Sequence, residues 1–167
     1  MGSPSSVCRA IPTCPSSVVV RYLHDDVEVV EALLAAHGVA LVSTNSVDES
    51  TAVATVLTGS DTEVRADVVL AAQDDAQADL GVGAWHINNE HEAHTVVDGI
   101  GVIEFWCGDR AVAAVLEAGD VMLVRGAEHR YRPVTDQRWL IRFSGGPQAD
   151  LIPTETGRPS EPWPSVE

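Results

Sequence analysis

From Gly81 onward the chain settles into short apolar segments separated by turns. Glu92, His94 and Val96 alternate with their neighbours and so share one face of an extended segment. Asp98-Gly99-Ile100-Gly101 reads as a turn, Val102 to Trp106 as a strand, Cys107-Gly108-Asp109-Arg110 as a hairpin turn and Ala111 to Leu116 as its partner strand. Glu117-Ala118-Gly119-Asp120 turns again, and Val121 to Val124, Arg130 to Tyr131 and Trp139 to Phe143 follow as strands. Short strands recurring at about 8–12 residues predict a β-sandwich or barrel.

The first part of the chain has a different pattern. Ser17 to Leu23 is β-branched and apolar, a first strand. Asp25-Asp26 then caps a helix in which Val27, Val30, Leu33 and Leu34 recur at helical spacing, and Gly38 stops it. Val39 to Val42 is a second short strand. Between Ser46 and Asp79 the Ala-, Asp-, Thr- and Val-rich composition predicts helical fragments, with Ala66 to Leu70 as a strand. Residues 1–17, rich in Ser and Pro, are expected to be a disordered tail, residues 18–157 a single domain, and residues 158–167 a loose C-terminal tail.

Composition narrows the function classes. The 167 residues suffice for one domain with a substantial core, and 45% of them are hydrophobic. A formal net charge of -15 repels phosphate backbones and anionic lipid surfaces, so neither nucleic acid nor membrane is an expected partner. No apolar run approaches the roughly 20 residues of a membrane helix. Three cysteines, Cys8, Cys14 and Cys107, argue against a disulfide framework, and the first residues, with one arginine and apolar runs broken by prolines, are not expected to act as a signal peptide. The default location is the cytoplasm, and the expected state is a monomer or small homo-oligomer.

The chemistry concentrates in His86-Ile87-Asn88-Asn89-Glu90-His91-Glu92-Ala93-His94, which holds three of the six histidines. His86 and Asn88 point the same way on a strand, as do Glu92 and His94, while Glu90 and His91 fall at a bend. His129 lies on a later strand that a barrel can bring back beside His86. Two imidazoles and a carboxylate converging from different strands are the ligand types of a 2-His-1-carboxylate site, which leaves open positions on Fe(II). Asn88 is a fourth ligand candidate through its amide oxygen; His94 is a ligand, a base or a substrate contact. The bland alternative is a solvated charged face at Glu90, His91 and Glu92. Glu90 is a general base only if the bend turns it inward, and Arg142 could pair with a core carboxylate. Trp85, Phe105, Trp106, Tyr131 and Trp139 read as core or pocket wall.

With its flanks, this segment resembles the first motif of the cupins. Gly81, four residues, His86-x-Asn88, three residues, Glu92, six residues and Gly99 follow the family pattern with the first spacing one residue short. The second motif looks like Gly119 to His129, without the usual proline before Gly126. Within the cupins the chain most resembles the acireductone dioxygenases, through Gly99-Ile100-Gly101, Phe105, His129-Arg130-Tyr131, Ile141-Arg142-Phe143 and Gly146-Pro147. The resemblance covers about residues 19–157. It implies a mainly β cupin barrel, a jelly roll or double-stranded β-helix, with a few N-terminal helices. It also implies metal ligands at His86, Glu92 and His129, with Asn88 at the position of a further histidine ligand. His94 stands where the family has a substrate-contacting arginine, and Arg142 matches another arginine near the site. The implied function is a metal-dependent dioxygenase using Fe(II), or Ni(II) or another divalent ion, on a small enediol, β-dicarbonyl or related metabolite with O2. The two alternatives are a non-oxidative cupin enzyme, an isomerase, dehydratase or hydrolase at the same metal site, and a non-catalytic cupin that binds a small molecule.

Overall fold

The computed structural model describes residues 21–22, 27–43, 66–72, 81–144, 150–163 and 166. Two antiparallel sheets face each other across a common core. Along the chain run β1 (Arg21–Tyr22), helix α1 (Val27–Ala36), β2 (Val39–Ser43), β3 (Ala66–Leu70), β4 (His86–Asn88), β5 (Glu92–Asp98), β6 (Ile100–Cys107), β7 (Arg110–Glu117), β8 (Asp120–Val124), β9 (His129–Pro133), β10 (Gln137–Phe143) and β11 (Pro153–Glu155). One sheet has the order β1-β7-β6-β9-β4-β11 and the other β2-β8-β5-β10-β3. This is the two-sheet β architecture expected from the strand spacing, in the jelly-roll form that the resemblance to the cupins implied. The disordered-tail expectation for residues 1–17 and the helical fragments between Ser46 and Asp79 lie outside the described residues, apart from Ala66–Leu70, which is a strand. No helix among the described residues is long and apolar enough to cross a membrane.

Helix α1 buries Val30 and Leu34, one turn apart, and leaves Val29 exposed. Gly38 ends it at φ 80°, a left-handed conformation that costs glycine little. A Cβ there would stand 2.9 Å from the Arg125 carbonyl oxygen, so the same glycine allows the close approach of the loop after β8.

The core forms where the strands' inward positions meet. Val96, Ile103, Phe105, Val112, Leu116, Met122, Tyr131, Trp139, Ile141 and Phe143 belong to it. Gly99 and Gly101 hold the passage from one sheet to the other. Gly99 has φ 87°, and a Cβ on Gly101 would lie 2.2 Å from the Tyr131 hydroxyl. That hydroxyl receives Gln137 Nε2 at 2.5 Å in a buried bond. The turn expected over residues 98–101 is therefore shorter: only Gly99 separates β5 from β6. Cys107, expected in a turn, closes β6 and is buried.

The segment expected to be a loose tail from residue 158 makes specific contacts through Arg158, Glu161 and Trp163. Strands β6 and β7 are buried on their outer face as well as their inner one. There Val102, Ala113 and Val115 form a second cluster with Trp163. Arg130, wholly buried, lies with its guanidinium 3.9 Å from the Trp163 ring centre and 5.0 Å from that of Trp85. It donates from Nε to Glu104 at 2.6 Å and from Nη2 to the Glu161 carbonyl at 2.7 Å. Arg158 pairs with Glu128 and sits 3.8 Å over the Trp106 ring. An apolar outer face on two strands demands a cover, and the C-terminal segment supplies it.

Candidate metal centre

The short strand β4 puts His86 and Asn88 on the inner side of the barrel, two residues apart, and leaves Ile87 outside. It is bordered by β9, through the pair His86–His129, and by β11, through three residue pairs. From the opposite sheet β5 sends in Glu92 and His94. Glu92, His94 and His129 are 1%, 2% and 1% exposed. One ligand atom from each lies within 4.8 Å of the others, a spacing that can hold a divalent ion.

Contacts inside this group are not those of a hydrogen-bonded core network. His94 Nε2 stands 2.9 Å from Glu92 Oε2 and His129 Nε2 stands 3.4 Å from Glu92 Oε1. Yet among the described residues neither ring nitrogen of His94, nor Nε2 of His129, has a hydrogen-bond partner. Buried polar atoms without partners are costly and rare in native proteins. His129 Nδ1 donates to the Ala127 carbonyl at 2.9 Å and His86 Nδ1 to the Ala84 carbonyl at 2.7 Å. A carbonyl only accepts, so the proton is on Nδ1 and, in the neutral ring, Nε2 keeps its lone pair. Backbone carbonyls orient metal-binding imidazoles in this way.

Electrostatics agree with that protonation. Burial pushes the His129 imidazole down to about 4 against the pull of the Glu92 carboxylate, so the ring is neutral near pH 7. Burial alone raises Glu92, but the His94 and His129 rings and the Asn88 bonds outweigh it and hold the carboxyl at about 2. The site thus presents one carboxylate and neutral imidazole, the forms that bind a cation.

The predicted site residues fare differently. His86 lies beside His129, ring centres 4.4 Å apart and planes tilted by 56°, and it lines the same cavity as Asn88, Glu92 and His94. Asn88 Nδ2 donates to both oxygens of Glu92, each at 2.8 Å. Because a carboxylate is acceptor-only, the amide's nitrogen, not the oxygen expected as a ligand, faces Glu92. Glu90 sits at the bend, where it accepts from Ser144 Oγ at 2.6 Å, and is not among the cavity's lining residues. Arg142 is on the outward side of β10, whose buried positions are Gln137, Trp139, Ile141 and Phe143. Neither Glu90 nor Arg142 is among the residues brought to the cluster. His94 is brought there, and its ring stacks on Trp139 at 5.0 Å.

Sequence reading missed the far wall. The cavity, about 110 Å³, is closed by Val82, Trp139, Ile141, Leu151 and Pro153 as well as the polar cluster. Leu151 and Pro153 come from the segment that pairs β11 with β4. Asn89 fixes that segment: its Nδ2 donates to the Asp150 carbonyl and its Oδ1 accepts from the Ile152 amide. The signal available was a solitary apolar pair, Leu151-Ile152, directly before Pro153.

No protein-family model matches the chain, and no curated protein matches it. Among solved structures, acireductone dioxygenase from Bacillus anthracis, with a cadmium ion in its active centre, superposes with a TM-score of 0.50. It shares 19% identity, over 75% of this chain and 91% of that one. Two oxalate decarboxylase structures from B. subtilis match at TM-scores of 0.35 and 0.39 with 19% and 16% identity. These cover 44% and 71% of this chain but only 20% and 27% of theirs. With two antiparallel sheets around a buried Glu/His cluster, the chain has the cupin fold, in a form like that of acireductone dioxygenase.

Proposed function

We propose that the protein is a metal-dependent dioxygenase acting on a small molecule that chelates through adjacent or β-related oxygens, an enediol or β-dicarbonyl. The observation that carries the reading is the convergence of buried Glu92, His94 and His129, in which both ring nitrogens of His94 and Nε2 of His129 have no hydrogen-bond partner among the described residues. A divalent ion at this site, Fe(II) in this reading with Ni(II) as the other choice, supplies Lewis acidity and open positions for substrate and O2. The chain's own residues do the rest. Ala127 fixes the His129 ring and Asn88 fixes the Glu92 carboxylate. Val82, Trp139, Ile141, Leu151 and Pro153 make the remaining wall apolar, which excludes water and suits a substrate with an aliphatic substituent.

Among the described residues the lining of the cavity includes no arginine or lysine. A substrate carrying a separate carboxylate or phosphate would find no fixed cation there, so the reading favours neutral or singly charged chelators. The protein is read as cytoplasmic, as a monomer or small homo-oligomer, with O2 as co-substrate. The experiment is oxygen consumption by the Fe(II)-loaded protein with short acyclic enediols and β-dicarbonyls. Turnover of the same compounds under strict anaerobiosis would instead support a non-oxidative enzyme at this site.

A further inference from the structure

We infer that the ligand set has been relocated: His94 supplies the imidazole that position 88 lacks, and Asn88 serves as a clamp on the carboxylate. The inference rests on the metal-site reading above and assigns roles within it. Three observations converge on it. His94 follows Glu92 by two residues on β5, so both side chains enter from the same strand and face. Its Nε2 lies 2.9 Å from Glu92 Oε2, and its ring meets that of His129 edge-on with centres 5.6 Å apart. Both its ring nitrogens are buried without a hydrogen bond among the described residues.

Asn88 fills the complementary role. Both its contacts to Glu92, at 2.8 Å, come from the amide nitrogen, which has no lone pair to give a cation. Bridging the two oxygens, it holds the carboxylate plane in one orientation and leaves the remaining lone pairs towards the imidazoles. An asparagine at this place therefore need not be the mark of a decayed site. The imidazole count is preserved by moving one ring from β4 to β5. Trp139 stacks on the His94 ring and holds it there. His86, beside His129 and on the same cavity, remains available as a further donor.

The test is titration of the chelator-stripped full-length protein with Co(II) alone, followed by its visible ligand-field bands. Wild type should bind with the bands of a mixed nitrogen and oxygen site. His94→Gln should weaken binding by more than about a hundredfold and shift the bands, beyond the roughly 10–100-fold range of changes to groups that only orient ligands. Asn88→Ala should keep the band pattern and lose roughly tenfold in affinity. The double variant Asn88→His/His94→Gln should regain tight binding with altered bands, which separates ligand loss from misfolding. If wild type binds Co(II) and His94→Gln binds it equally well with unchanged bands, the relocation is wrong while the metal reading stands. If wild type binds no Co(II), the metal reading fails and the relocation with it.

Discussion

Replacing Glu104 with Gln tests how the outer face of the barrel fixes the inner one. Glu104 and Arg130 are register partners on β6 and β9, directly beside the pair Phe105–His129. A slip of one residue between these strands would turn His129 outward. The outer-face ion pair opposes that slip, because Arg130 is fully buried and Glu104 receives both its Nε and its Nη2. Removing one partner of a buried pair costs about 3–5 kcal/mol, against a total stability of about 5–15 kcal/mol for a domain. With an m-value of about 2 kcal/mol per molar urea, the unfolding midpoint should fall by roughly 2 M. The apolar double variant Glu104→Leu/Arg130→Met should recover most of that loss, since isosteric replacement of a buried pair is often neutral. Equilibrium urea denaturation followed by tryptophan fluorescence reads both. A Glu104→Gln midpoint within about 0.3 M of wild type would refute the argument.

Other consequences follow from the same packing. Gly101→Ala should drive a methyl into the Tyr131–Gln137 hydrogen bond. At about 2–4 kcal/mol for overpacking and a broken buried bond, the melting temperature should fall by roughly 5–15 °C; an unchanged calorimetric midpoint would count against the tight contact. Truncation after residue 157 should uncover Val102, Ala113 and Val115, raising binding of a hydrophobic dye and lowering the melting temperature. A truncated chain as stable as the whole would restore the loose-tail reading. The Glu128 carboxyl is held below its ordinary value of 4.5, first by the hydrogen bonds from Arg158 and against the opposing effect of burial. Its contribution is therefore present above about pH 4.5 and lost as pH falls through the lowered value, so amide-exchange protection around residues 156–163 should drop selectively on acidification. Equal loss in Arg158→Gln and wild type would contradict this.

How much could be read beforehand depends on the range of the physics involved. The strands from β5 to β10 were legible because alternation and turn glycines are local signals. The pairing of His86 with His129 followed from residue parity on each strand plus barrel closure. Parity also contained the correct placement of Arg142, since Trp139, Ile141 and Phe143 on the inner face put residue 142 outside. The resemblance to the cupins pointed the other way at that position. The role of Asn88 was not legible, because an amide offers either an oxygen or a nitrogen and only its neighbours decide which. The contacts of the C-terminal segment were not legible because its three prolines and lack of periodicity describe only the segment itself. Its order comes from the far side: two strands with apolar residues on both faces and a buried arginine awaiting aromatic cover. Trp163 in an otherwise polar stretch was the clue in the sequence.

The central claim is that the buried Glu92, His94 and His129 group exists to hold a divalent ion. Elemental analysis of the full-length protein, purified without chelator and reconstituted with Fe(II), addresses it directly. The account predicts a single bound ion per chain in wild type and in His91→Ala, whose side chain is exposed, and none in His129→Ala. Metal-free wild type after reconstitution, or His129→Ala carrying as much metal as wild type, would contradict it.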